Sequence, residues 1–332
     1  MSLHPREALF EPGEPAATAL PVCDHYAGVE ARMRKALALQ AELGPVFDLT
    51  LDAEDGAPVG GETEHAHLIA ELVAGRDNRF GRVGARVHPV THRAFAQEVD
   101  LLVRRCGDRL AYLMVPKPEG LADVLRAVSE IDHAIRIHDV GRSIPVHVLI
   151  ETHGALREVE AIAGHPRVES LSFGLMDFVS AHRGAIPQSA MGVTGQFDHP
   201  LVVRAKLAIS AAAHGFGKTP SHCVVTEFRD TRALADAVTR ASQQFGYTRM
   251  WSIHPAQVPV IVEGFAPTAR EVDLASDVLL AAQAASWAPI AHRDTLHDRA
   301  SYRYFWQLLD RAHRTGQPLP DEVRAVFFPE SD

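Results

Sequence analysis

Basic residues are in the minority: 33 Lys and Arg face 42 Asp and Glu, a net charge of −9. No basic stripe stands out, which argues against a nucleic-acid partner. A small anionic substrate would still need only one or two local cations. Cysteine is also scarce. Cys23, Cys106 and Cys223 are scattered, odd in number and without CxxC spacing, which suits a reducing, cytoplasmic setting better than a disulfide framework. The opening "MSLHPREALFEPGEP" lacks a basic-then-apolar signal design, and no apolar run approaches the length of a membrane span. Internal repeats and low-complexity segments are missing too. So is a GxGxxG turn after the first strand, which weakens an open doubly wound sheet. No Gly-rich phosphate loop follows the last two strands, which disfavours a phosphoenolpyruvate-using enzyme.

What is present is an ordinary balance for a globular protein, 46% apolar and 23% charged over 332 residues. Strand-like and helix-like stretches alternate almost throughout. Strands are expected over 7–13 ("EALFEPG"), 46–54, 82–88, 110–117, 145–151, 168–177, 222–228 and 249–255. Amphipathic helices are expected between them, as at 27–43, 120–135 and 232–246. Eight βα units point to the α/β class and a closed (β/α)8 TIM barrel over residues 1–256. The polar, Gly-rich stretch 179–200 follows the sixth strand, where barrel loops carry function. Beyond 256 the strands are expected to stop. Residues 257–332 read as a C-terminal helical extension with a loop at "WAPIAHRDTLHDRAS", packed on its own barrel or contacting a neighbouring subunit.

The segment "IPVHVLIETHGAL" carries the first chemical signal. An apolar strand ends in Glu151, and one βα unit later "LSFGLMDF" ends in Asp177. Neighbouring barrel strands would place both acids at the catalytic rim. Two adjacent carboxylates repel unless a cation joins them. Mg²⁺ suits them, since it takes oxygen ligands and often only one or two carboxylates. The competing interpretation is that both acids cap the helices that follow. Other rim groups arrive at the same level: Asp52, Glu54 and Asp55 after the second strand, Arg86 after the third, Lys117 after the fourth and His254 after the eighth. Arg86 can grip a carboxylate at two points, and the acids of the second strand can orient it.

The ordered segments "LFEPG", "LDAEDGAP", "ARVHP", "MVPKPE", "VLIETHGAL", "FGLMDF", "VVRAKLAISAAAHGF" and "SIHPAQVPVIVEGFAPTAREV" resemble the citrate lyase β-chain and malyl-CoA lyase group of the HpcH/HpaI aldolase superfamily. The likeness runs over roughly residues 6 to 300. It implies a (β/α)8 barrel, assembled as a homo-trimer or homo-hexamer, that makes or breaks carbon–carbon bonds with Mg²⁺. Under the resemblance, Glu151 and Asp177 would be the metal ligands. Arg86 would contact the acid, with Glu54 and Asp55 beside it in the catalytic set and Asp52 anchoring it. Gly174 and Met176 would help hold the same end of the substrate, together with Lys117, His254 and Pro255. "LFEPG" and "IHPAQ" would receive an acyl-CoA arm. Asp298 of a neighbouring subunit would complete the site as acid/base, with Asp294 as fallback.

Several positions depart from the family pattern: His88 for its usual Asn, Leu175–Met176 before the metal Asp, "EDGAP" for "EDAV", and Glu11 for Val. They bear on the substrate more than on the metal. The implied function is a Mg²⁺-dependent carbon–carbon lyase acting on a small 3-hydroxy or 2-keto acid or its acyl-CoA thioester. The alternatives are a metal-dependent aldolase of free pyruvate-type acids without CoA, and a non-catalytic barrel subunit.

Overall fold

The computed structural model describes residues 3–11 and 20–329. Eight parallel strands close into a barrel in sequence order: β1 (Cys23–Ala27), β2 (Phe47–Asp52), β3 (Val83–Arg86), β4 (Leu113–Val115), β5 (Val146–Ile150), β6 (Val168–Phe173), β7 (Thr219–His222) and β8 (Arg249–Ser252). β1 closes the ring by pairing Cys23 with Met250 of β8 while its other edge pairs Cys23 with Phe47 of β2. The helices in chain order begin with α1 (Pro5–Leu9), α2 (Glu30–Leu43), α3 (Glu62–Ala74), α4 (Phe95–Cys106) and α5 (Leu121–Ile137). Next come α6 (His153–Arg157), α7 (Val159–Ala163), α8 (Leu175–Ser180), α9 (Gly195–Asp198), α10 (Pro200–Gly215) and α11 (Thr231–Gln243). The last are α12 (Gln257–Phe265), α13 (Ala269–Ala284), α14 (Arg299–Arg314) and α15 (Asp321–Phe327). None of the described helices is long and apolar enough to cross a membrane.

The chain forms two compact units, Ala17–Val262 with the barrel, and Met1–Ala16 together with Glu263–Asp332. In the barrel unit the closed ring is as expected, but its first stave is not. The expected strand at 7–13 is instead helix α1 of the other unit, followed by residues outside the described set from Pro12 on. Pro5 starts that helix, the His4 side chain accepts from the Arg6 N–H at 3.1 Å, and Leu9 is fully buried against partners such as Tyr302 and Trp306. The true first strand, "CDHYA", is masked in sequence by its polar residues.

The inside of the barrel explains that polarity. Arg249 on β8 is fully buried and sits 3.0 Å from Asp24 Oδ2 and 2.5 Å from Asp48 Oδ2. Thr50 Oγ1 and Tyr112 Oη both donate to Asp24 Oδ1, at 2.7 and 3.1 Å. Burial is tolerable because each charge has an opposite partner at contact distance. β7 is likewise short and polar, "TPSH", and ends where the expected strand 222–228 begins; the following residues form rim loop. Outside this network the staves and helices bury an aliphatic layer that includes Leu49, Val83, Val148, Ile162 and Ile209.

The second unit also differs from expectation. The segment anticipated as a loop holds an antiparallel hairpin, Ile290–His292 with Thr295–His297. Its two-residue turn places Arg293 and Asp294 at φ 48° and 61°, the left-handed conformation that suits tight hairpins. α13 begins with a capping box, in which Thr268 Oγ1 accepts from the Glu271 N–H and Glu271 accepts from the Thr268 N–H.

Candidate active site

Barrel closure gathers the rim acids and cations from β2 to β6. Asp52, the last residue of β2, organises the loop after it: Oδ1 accepts from the Glu54 N–H (3.0 Å) and Oδ2 from the Gly56 N–H (2.8 Å). A side chain at Gly56 would place its Cβ 2.3 Å from Asp52 Oδ2, so this tight turn needs glycine. The same carboxylate holds Arg86 at two points, Nε to Oδ1 at 2.7 Å and Nη2 to Oδ2 at 2.5 Å. Arg86 Nη1 lies 3.1 Å from Glu54 Oε2. Arg86 is buried, which opposes its charge, yet the charge and hydrogen bonds of Asp52 outweigh burial and raise its pKa. The fork is fixed in direction, and only two of its five N–H groups are spent on Asp52.

Glu151 directly follows β5 and is 2% exposed. Its Oε1 accepts from the Lys117 backbone N–H at 2.8 Å. Its other oxygen lies over Gly174, where an added Cβ would stand 2.2 Å from Oε2 and 2.5 Å from the Glu151 Cβ. Burial, and then the charge of Asp177, push the Glu151 carboxyl well above its ordinary range. Asp177 sits in the first turn of α8, just past β6. Lys117 Nζ stands among the remaining acids, 2.5 Å from Glu54 Oε1, 2.7 Å from Asp55 Oδ2 and 3.7 Å from Asp177 Oδ1. Burial opposes the ammonium, but bonds from Asp55 and Glu54 outweigh it and raise the Lys117 pKa. The Asp55 carboxyl, opposed by burial, is lowered by its hydrogen bond to Lys117.

Arg86, Glu54, Asp55, Lys117, Glu151, Gly174 and Asp177 therefore lie in one connected set. Met176 turns aside into a cavity of about 580 Å³ with Gln188, Met191 and Glu227. His254 and Pro255 line another, of about 440 Å³, with Tyr26, Arg32, Lys35 and Phe228. His254 stacks on Phe228 with ring centroids 5.1 Å apart. Asp298 belongs to the second unit, where it caps α14 by accepting at Oδ1 from the Ala300 (3.0 Å) and Ser301 (3.4 Å) N–H groups. Asp294 is in the hairpin turn.

The sequence reading missed the contribution of β1. Tyr26 stacks on Trp251 at 4.1 Å and its ring lies 5.4 Å from the Arg86 guanidinium. Its hydroxyl donates to Met114 Sδ. Gly28 just after "CDHYA" was the available local signal, but the strand's Asp and His hid it.

Among the described residues no group of three or more His, Cys, Asp or Glu side chains stands ready to hold a metal. A magnesium ion held by two carboxylates, with water and substrate oxygens, needs no such group. The donors at this rim suit it: all are carboxylate oxygens, and the buried one, Glu151 Oε2, is seated over Gly174, where any side chain would displace it.

Residues 48–255 match the HpcH/HpaI aldolase/citrate lyase family. An L-malyl-CoA/beta-methylmalyl-CoA lyase of Cereibacter sphaeroides is 28% identical over 252 residues, 71% of this chain and 77% of the relative. A crystal structure of a citrate lyase from Burkholderia xenovorans is 52% identical with a TM-score of 0.86, covering 98% of this chain and 100% of the other. The protein CitE of Mycobacterium tuberculosis, solved with magnesium, acetoacetate and coenzyme A, shares the fold at 19% identity and a TM-score of 0.67, over 89% of this chain and 99% of that one. By the match of most of its barrel, this chain belongs to the HpcH/HpaI aldolase/citrate lyase family and is a carbon–carbon lyase.

Proposed function

We propose that the protein is a magnesium-dependent lyase that cleaves or forms a carbon–carbon bond in a small 3-hydroxy or 2-keto acid carried as its acyl-CoA thioester. The observation that carries this reading is Glu151: a buried carboxylate, cradled over Gly174, held by one backbone N–H and set beside Asp177. Keeping such an acid ionised calls for a cation.

Glu151 and Asp177 would hold Mg²⁺, which supplies a Lewis acid for a substrate oxygen and stabilises negative charge as the bond breaks. Arg86, locked by Asp52, presents its free N–H groups to the substrate carboxylate. Its rigid pairing means that no reorganisation is needed when charge develops. Backbone N–H groups at the start of α8, at Leu175 and Met176, would hold the same end, that of Gly174 being given to the Ile150 carbonyl at 3.1 Å.

The CoA thioester is favoured over a free acid by the neighbouring cavity. Arg32 and Lys35 line it with Tyr26, Phe228 and Ile253, a combination of cations and apolar surface suited to a phosphate-bearing arm. Two of the lyases it resembles, at 28% and 24% identity, carry malyl-CoA in their names. The same reading gives Asp298 of a neighbouring copy the role of acid/base, in a trimer or hexamer. Both cap bonds of that exposed residue fall on Oδ1, which leaves Oδ2 for chemistry.

The test is a panel of 3-hydroxyacyl-CoA esters and the matching free acids, assayed with and without Mg²⁺. Cleavage of at least one ester, dependent on Mg²⁺ and lost in Glu151→Gln, is expected. Wild-type rates in Glu151→Gln would sink the metal assignment, and turnover of free acids alone would remove CoA from it.

A further inference from the structure

We propose that Lys117 is the built-in counter-cation of this rim: its ammonium offsets part of the acid set's charge when no divalent ion is bound, and it sets how tightly such an ion is held. The inference rests on the reading of Glu151 and Asp177 as cation ligands and deepens it.

Three observations converge on this residue. Its ammonium reaches acids from two different staves, Glu54 and Asp55 after β2 at 2.5 and 2.7 Å, and Asp177 after β6 at 3.7 Å. Its backbone N–H holds Glu151 Oε1 at 2.8 Å. One residue therefore touches both proposed ligands, one through the main chain and the other through the side chain. The third observation is the backbone itself. Lys117 has φ 50°, the left-handed region that residues with a Cβ disfavour, and Pro118 follows it. Such strain persists where surroundings over-determine it, and here it falls on the residue whose N–H holds Glu151.

The charge balance gives the direction of the effect. Among the described residues, Asp52, Glu54, Asp55 and Asp177 face Arg86 and Lys117 in these contacts, with the Glu151 carboxyl beside them. The set remains acid-rich with Lys117 in place, so a divalent ion is still attracted. It must nevertheless draw Asp177 to itself against a like charge 3.7 Å from that carboxylate. Deleting the ammonium removes that repulsion and the pairing it gives Glu54 and Asp55. The metal-free protein loses a pairing and the divalent ion gains affinity.

Mn²⁺ binding to metal-free protein, followed by the EPR signal of the free ion, tests this in wild type, Lys117→Met, Lys117→Gly and Lys117→Arg. Glycine keeps the left-handed backbone and its N–H; methionine keeps the side-chain volume. Both are expected to bind Mn²⁺ about tenfold tighter or more, within the usual span of coupling between two sites, with Lys117→Arg staying near wild type. Without metal, both neutral variants should melt below wild type, and Mn²⁺ should raise their melting temperatures by more than it raises that of wild type. If wild type binds Mn²⁺ and the Met and Gly variants bind it equally or more weakly, the role of Lys117 is wrong while the ligand assignment stands. If none of the four binds Mn²⁺ at millimolar concentration, the ligand assignment itself falls, and this inference with it.

Discussion

Gly174→Ala is a sharp perturbation because the added methyl group meets a single residue. Gly174 has φ −91°, so alanine brings no left-handed strain, and any effect comes from contact. The new Cβ would lie 2.2 Å from Glu151 Oε2, 2.5 Å from its Cβ and 3.0 Å from its Cδ. Carbon pairs prefer roughly 3.5–4.0 Å. The carboxylate could rotate away, but the Glu151 Cβ is fixed by its own backbone at the end of β5. The staves must therefore part or Glu151 must leave its seat. Over-packing of this kind costs about 1–3 kcal/mol, which for a unit of this size lowers Tm by about 2–12 °C. Displacing the carboxylate should also weaken Mg²⁺ binding by about 10–100-fold, as loss of a ligand's support does in other metal sites. Thermal melts and Mg²⁺ titration of activity measure the two effects. Gly215→Ala is the control: at the end of α10 its Cβ would meet nothing within 4 Å, and it should be neutral or slightly stabilising. A Gly174→Ala protein that melts with wild type and needs no more Mg²⁺ would show that Glu151 does not lie over Gly174, and the cradle argument would be refuted.

Two further outcomes are expected. Asp298→Ala should lose about 0.5–2 kcal/mol from the cap of α14, while Asp298→Asn keeps the cap. An inactive but fully stable Asn variant would support acid/base chemistry, and an active one would confine Asp298 to capping. Glu169 is buried enough to oppose its charge, yet its hydrogen bond and charge contact with His147, 3.0 Å away, lower its carboxyl below the ordinary value. A depressed acid adds stability that is present above the unfolded-state pKa of about 4.3 and is lost as pH falls through the lower folded value. Urea denaturation across that acid range should show wild type losing this increment and Glu169→Gln lacking it; parallel curves would contradict the pairing.

Much of this was legible in the chain because it is local. Apolar runs marked β5 and β6, and Glu151 follows directly where the first stops; Asp177, expected to end the sixth strand, stands instead in the first turn of α8, because β6 stops at Phe173. The placement of Arg86 at the end of β3 was equally local. β1 was illegible because its Asp24 and His25 are satisfied by residues far along the chain, Arg249 and Ser252. The sequence "EALFEPG" looked like a strand, but a Pro start and a buried Leu9 made α1 of it. The 290–297 hairpin was hidden because its turn uses Arg293 and Asp294, not the Asn-Gly that usually betrays one.

By itself, then, the sequence determined the barrel class, the order of most staves and which stave ends carry acids, since periodicity and chain direction act within a few residues. Only the closed tertiary structure decided that Asp52 locks Arg86, that Lys117 stands among Glu54, Asp55 and Asp177, and that Glu151 lies over Gly174. Those pairings join side chains from different staves. Their distances depend on register and closure, which no single segment encodes.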